Sequence, residues 1–253
     1  YAFEDEEIYK LGVEVVIGGG DVSESQEIFR GKITGFELLM PDDGPPELVV
    51  LAEDALMLAR MTRRTKTHDD ATIDALARDL ADTLGLKPVI ADGLTGDIGT
   101  QVQMNESDLA FVRRVVRRYD VDLQVVGNEL HVSPRGDVRR GDPLPLTLHE
   151  ELRQVRMLVD LAHQITEMTA SGWDPIAGTR ITGTASDVTQ TGPGLGTTGK
   201  QVLGRISVTR THHIGHLAAA TNDEAQAIAE AAFDQRARRF VCIEGTASGD
   251  PLL

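Results

Sequence analysis

Three groups of side chains in this sequence have the types a chemical site requires. The run Gly194-Leu195-Gly196-Thr197-Thr198-Gly199-Lys200-Gln201 satisfies the G-x-x-x-x-G-K spacing, in which backbone N–H groups and a lysine cradle phosphates. It fails at the next position, because Gln201 stands where Ser or Thr must hold Mg²⁺. The pattern also needs a hydrophobic strand before it and a helix after it, whereas a polar run precedes it and the strand-like Val202 to Val208 follows. A Gly/Thr loop explains the same residues without a ligand. The second group, His212, His213 and His216, has imidazoles close enough in sequence for zinc or nickel. It lacks the Glu beside the first His that a helical metal site uses as base, and Gly215 interrupts the pair, so structural or solvated imidazoles are expected. The third group is cationic: Arg113, Arg114, Arg117 and Arg118, with Arg60, Arg63 and Arg64. It reads as a solvated helix face or an interface with an acidic partner before it reads as a local anion site.

The remaining reactive residues are weaker. Cys242, alone in an apolar strand, is expected to be a small buried hydrophobe. Thr67-His68-Asp69-Asp70 places acids where a helix begins, and Asp42-Asp43 lies in a Pro/Gly turn. No G-x-S-x-G, H-E-x-x-H or paired-cysteine motif occurs. The residues therefore assign no catalytic, cofactor-binding or metal-binding set, and a non-enzymatic role without a cofactor is expected.

The elements that hold these groups fall into three blocks. In the first, residues 11–17, Ile28 to Met40 and Glu47 to Leu51 are β-branched runs separated by Gly18-Gly19-Gly20 and by Pro41 to Pro46, which predicts a small antiparallel sheet or part of a barrel. A helix over 48–61 is the alternative, with the boundary near Asp54. In the second, Asp70 is placed to cap a helix whose Ile73, Leu76, Ala77, Leu80 and Leu84 share a face and whose Gly85 ends it. Asn105 or Ser107 opens another helix, with Leu109, Val112, Val116 and Tyr119 on one face. Gly127-Asn128 then joins Val121–Val126 to 129–132 as a hairpin. The third block follows a Gly/Pro/charge cluster at 136–145. It has strands over 152–161 and 164–172, an exposed loop at 183–204, and a helix over 222–238 capped by Thr221 and Glu224. Trp173, the single Trp, is expected to anchor this block at a strand end.

Composition narrows the function classes. The chain has 253 residues with 25 Lys+Arg against 40 Asp+Glu, a formal charge of −15, which repels phosphate backbones and anionic bilayers, so stable nucleic-acid binding is not expected. Aromatics make up only 4%, too few for a base-stacking platform. One cysteine permits no intrachain disulfide and favours assembly in the cytosol. No apolar run is long enough to be a membrane-spanning segment.

The order of segments resembles the late-control D protein family of contractile phage tails. Ile28-Phe29-Arg30-Gly31-Lys32-Ile33-Thr34, Asp54 through Arg63, the helix end Leu84-Gly85-Leu86, and Asn105 through Tyr119 leading to Gly127-Asn128 carry the resemblance. So do Gly172-Trp173-Asp174-Pro175 and the late helix running into Phe240 and Asp250-Pro251. The likeness spans nearly the whole chain apart from 183–204. It implies an α+β, mainly β fold: a first tube-like β-barrel domain at 1–66, an inserted small α+β domain at 67–135, and a second β-rich tube-like domain at 136–253. Relative to that family, roughly one or two opening strands and a spike domain after Leu253 are expected to be missing. It further implies a homotrimeric baseplate hub, assembled in the bacterial cytoplasm and carried in a phage tail or a released injection particle. Its partners would be the tail tube protein, a spike protein or C-terminal spike domain, and other baseplate proteins. Type VI secretion spikes and extracellular contractile injection systems are similar to that family. A hydrolase or NTPase using Gly194 to Lys200, and a stand-alone binding module, are the alternatives.

Overall fold

A computed structural model of the chain describes residues 10–20, 25–137, 144–188 and 196–249. It is mainly β with a few helices. Strands β1 (Glu14–Gly19), β2 (Gln26–Leu39) and β3 (Glu47–Glu53) form an antiparallel meander. Between β2 and β3 every residue from 37 to 47 is exposed. Both readings of the 47–61 segment are partly right. The strand runs to Glu53, the Asp54 carboxylate accepts from the Leu56 N–H at 2.9 Å, and a short helix α1 (Leu56–Met61) follows.

Strand β4 (Arg63–His68) pairs antiparallel with β6 (Gln101–Ser107). Helices α2 (Ile73–Leu84) and α3 (Asp108–Arg118) pack over a second small sheet of β5 (Lys87–Ile90), β8 (Glu129–Pro134) and β7 (Val121–Val126). The β7–β8 hairpin turns at Gly127-Asn128 as its sequence requires, with Gly127 at φ +55°. Gly85 caps α2 in the left-handed region, and its N–H reaches the carbonyls of Ala81 and Asp82. The helix start differs from expectation: Thr72, not Asp70, accepts from the Ala75 N–H, and Asp70 sits just outside at φ +47°. Ser107, rather than Asn105, caps α3. These elements and α1 bury one core centred on Ala77, Val115, Leu130 and Val132. Phe111 and Val115 join it from α3, which widens the expected stripe.

Beyond this unit, β10 (Glu167–Asp174) pairs antiparallel with β11 (Thr179–Ala185) and parallel with β12 (Thr211–Ala218). Helix α5 (Asn222–Ala237) lies across this sheet and fills a second core with Ala225, Ile228, Ala229 and Phe233. Gly172 and Gly183 permit the approach. A Cβ on Gly183 would stand 2.2 Å from the Ala225 carbonyl carbon, and one on Gly172 would stand 1.9 Å from the Ala219 oxygen. Strands β9 (Leu152–Val159) and β13 (Val241–Ala247) form a separate antiparallel ribbon.

Four expectations for the third block change. The 183–204 segment is not one exposed loop, because β11 extends to Ala185 and a capped helix α4 (Gly199–Arg205) buries Gly199 and Leu203. That helix replaces the strand expected over Val202 to Val208, since Thr198 and Gln201 complete a reciprocal capping box. Residues 189–195 of that loop lie outside the described residues. Trp173 is 62% exposed, because it points away from the α5 face of β10, so it anchors no core. Cys242 is exposed as well, since among the described residues no layer packs over the β9–β13 ribbon.

No closed barrel is present among the described residues. The strands are divided among five small sheets, and no strand of the β1–β3 meander or of the β9–β13 ribbon enters either core. Large apolar side chains accordingly remain in solvent, among them Ile17, Ile28, Met157 and Ile243. Among the described residues, no helix is long and apolar enough to cross a membrane.

Candidate functional site

The described part of the Gly194 to Lys200 motif is held by contacts within its own chain. Gly194 and Leu195 lie outside the described residues. Lys200 pairs with Asp187 at 2.9 Å, and Gly199 is pressed against Gln164, whose Oε1 would stand 2.3 Å from a Cβ. His212, His213 and His216 lie along β12. His213 shares hydrogen bonds with Thr169 and Ser171 through its two ring nitrogens, at 2.9 and 3.3 Å. Among the described residues no group of three His, Cys, Asp or Glu is placed to hold a metal ion.

The arginines behave differently. Helix α3 spends its apolar face on the first core, which leaves Arg113, Arg114, Arg117 and Arg118 on the side turned toward α5. The two helices meet along a polar seam. The Tyr119 hydroxyl donates to the Glu224 carboxylate at 3.2 Å, and the Gln235 amide donates to the Arg117 carbonyl at 3.1 Å. Arg238 forms a charge-assisted bond with Asp120. Glu224 thus works in two directions, because its other oxygen accepts the Ala220 N–H at 2.6 Å. This departs from the expected reciprocal box, in which Glu224 would reach back to Thr221. Burial and the facing carboxylate push the Tyr119 hydroxyl well above the usual phenol range, so it remains a donor.

Two grooves flank the seam. One, of about 670 Å³, contains its own counter-charges: Asp120 and Asp122 face Arg135 and Arg238. The other, of about 750 Å³, is rimmed by Arg113, Arg114, Arg117, Arg118, Arg236 and Arg239. Its floor is apolar, made by Met168, Ile214, Leu217, Ile228 and Ala232, and no carboxylate lines it. Arg114 is committed: it holds Glu106 through two nitrogens at 3.1 and 2.8 Å and sits over the Phe111 ring at 5.4 Å. That pairing keeps the Glu106 carboxyl below its ordinary range. Arg113, Arg117, Arg118, Arg236 and Arg239 form no ion pair among the described residues. The α3 arginines are evident in the sequence, but Arg236 and Arg239 opposite them are not, since a helix about 100 residues away gives no local sign of where it docks. Arg60 and Arg64 are neutralised elsewhere, by Glu53 and Asp108, and Arg63 donates to the Asn105 carbonyl.

This architecture is shared with phage tail proteins of known structure. The 43 kDa tail protein of prophage MuSo2 from Shewanella oneidensis aligns over 95% of this chain and 66% of its own, with TM-score 0.63 and 12% identity. A tail protein from Neisseria meningitidis MC58 aligns over 93% of this chain and 71% of its own, with TM-score 0.58 and 15% identity. The chain thus spans about two thirds of the length of these structures. Residues 1–248 match the Alg8 N-terminal domain model, and the chain belongs to that family. The family match is therefore to Alg8 and not to a late-control D model. A search of curated proteins gave no match.

Proposed function

We propose that this chain is the hub of a contractile-tail or injection-system baseplate, joining a sixfold tail tube to a trimeric spike. The observation that carries the reading is the pair of β surfaces with no covering layer among the described residues. The β1–β3 meander and the β9–β13 ribbon expose Val16, Ile17, Leu51, Met157, Val159 and Ile243, among others, an arrangement that marks surfaces buried on assembly. The fold shared with tail proteins supports the same role. In this reading residues 1–66 and 136–253 supply two tube-like domains, 67–135 is the insert, and barrels close only between copies. Three chains then present six similar β units to the tube and threefold symmetry to the spike. A trimer carries −45 (three times −15), so its interfaces must be apolar or locally paired. Mass photometry of the protein, co-expressed with a tail tube protein and a spike protein, tests this. A trimer that co-purifies with both is expected, and a monomer in their presence refutes the hub.

A further inference from the structure

We infer that the arginine-rimmed groove between α3 and α5 receives the acidic β2–β3 hairpin tip of a second copy of this chain. The inference rests on the hub reading for the presence of that second copy. Five guanidinium groups that form no ion pair among the described residues surround an apolar floor, in a chain whose formal charge is −15. Guanidinium forks match carboxylates in geometry and shed water more readily than ammonium groups. The occupant must therefore present carboxylates together with apolar side chains.

The hairpin tip has both. Glu37, Asp42, Asp43 and Glu47 are exposed and form no ion pair among the described residues. Leu38, Leu39 and Met40 are exposed beside them, Met40 at 69%. Residues 37–47 touch neither core, so the tip stands off its own chain as an arm of about five residues a strand, ~17 Å long. Pro41, Pro45 and Pro46 fix its backbone and remove donors. The tip is thereby suited to docking through side chains rather than extending a sheet, at a small entropic cost. Because groove and tip are different patches, each chain gives one and takes one, the head-to-tail contact from which a ring forms when the rotation between copies closes.

Charge reversal and re-pairing test it in the full-length protein, with Cys242→Ser as background. Arg113→Glu with Arg117→Glu, and separately Asp42→Lys with Asp43→Lys, should each weaken self-association about tenfold or more in sedimentation velocity. All four together should restore it to within about threefold of the parent. Circular dichroism shows whether each variant keeps its fold, and the re-paired variant keeps the test decisive if a single reversal misfolds. Asp43→Cys combined with Ala110→Cys, an exposed position lining the groove, should form disulfide-linked multimers only between chains. Oligomers that persist through both reversals would overturn the hairpin contact and leave the hub standing. A loss caused by the arginine changes that the lysine tip does not repair would reject the hairpin as occupant. A parent that is monomeric even with tube and spike present would remove both proposals.

Discussion

Gly183 shows how much a single position decides. An added methyl meets the backbone of α5 at 2.2 Å, and backbone cannot swing aside as a side-chain end can. Gly183→Ala should therefore cost about 1–3 kcal/mol. Gly96→Ala, where nothing lies within 4 Å, is the control. Equal urea midpoints for the two would contradict close packing of α5 on β11. His68 gives a pH signature. It stacks on Phe111 at 4.9 Å, and its Nε2 is buried without a hydrogen-bond partner. Burial first, then Lys66, push its pKa down, while Asp79 and Asp108 pull the other way. A histidine with a lowered folded pKa takes up its proton in the unfolded chain first. Its stabilising contribution is thus complete above about pH 6.5 and is lost as the pH falls toward the folded value. His68→Phe keeps an aromatic ring on Phe111 and should flatten the stability profile between pH 7 and 5. The residual slope then belongs partly to His212, lowered by burial and by Arg236 and Arg210. Superimposable profiles for parent and variant would exclude His68 as the source.

At the scale of elements, the 183–204 segment reverses an expectation. Replacing it by a short Gly/Ser linker would remove Gly183 and Ala185 from the α5 contact, and Gly199 and Leu203 from buried positions. The replacement should reduce soluble expression and lower the Tm by more than about 5 °C; an unchanged melting curve would show that β11 and α4 contribute nothing. Helices with a strong apolar period, such as α2, were legible because capping and periodicity are local. So was the β7–β8 hairpin, whose turn chemistry lies in two residues. Misread elements had their outcome set by distant chain. Residues 199–205 became helical through a capping box and a fit against Gln164, and Trp173 faces solvent because α5 covers the opposite face of β10. The arginine groove was half legible for the same reason, one wall being readable and the other brought by tertiary docking.

For the whole molecule, two buried cores coexist with β surfaces that have none. Hydrogen exchange should therefore divide the chain sharply. Amides of α2, α3, β8 and α5 should open only with global unfolding, while those of β1–β3 and of β9 and β13 exchange quickly in the isolated chain and slow on assembly. Equal protection of the meander and the cores in a monomer would contradict the uncovered state of those sheets. The polar seam is the joint between the cores. Its bonds from Tyr119, Gln235 and Arg238 link the two units beside the groove.

The β9–β13 ribbon joins Val159 to Val241 and Leu152 to Ala247, and the Asp160 N–H to the Phe240 carbonyl continues the pairing inward. Everything between those ends is one closed excursion of about eighty residues, and pinning its ends carries a loop-closure entropy that rises with the logarithm of its length. Once β10, β11, β12 and α5 have collapsed, the two ends already lie near each other and most of that entropy has been spent. The ribbon should therefore form late in refolding. Its zippering clocks the completion of the excursion, so the apolar β9 and β13 faces become adhesive only after the second core, which lies between their ends in sequence, is finished.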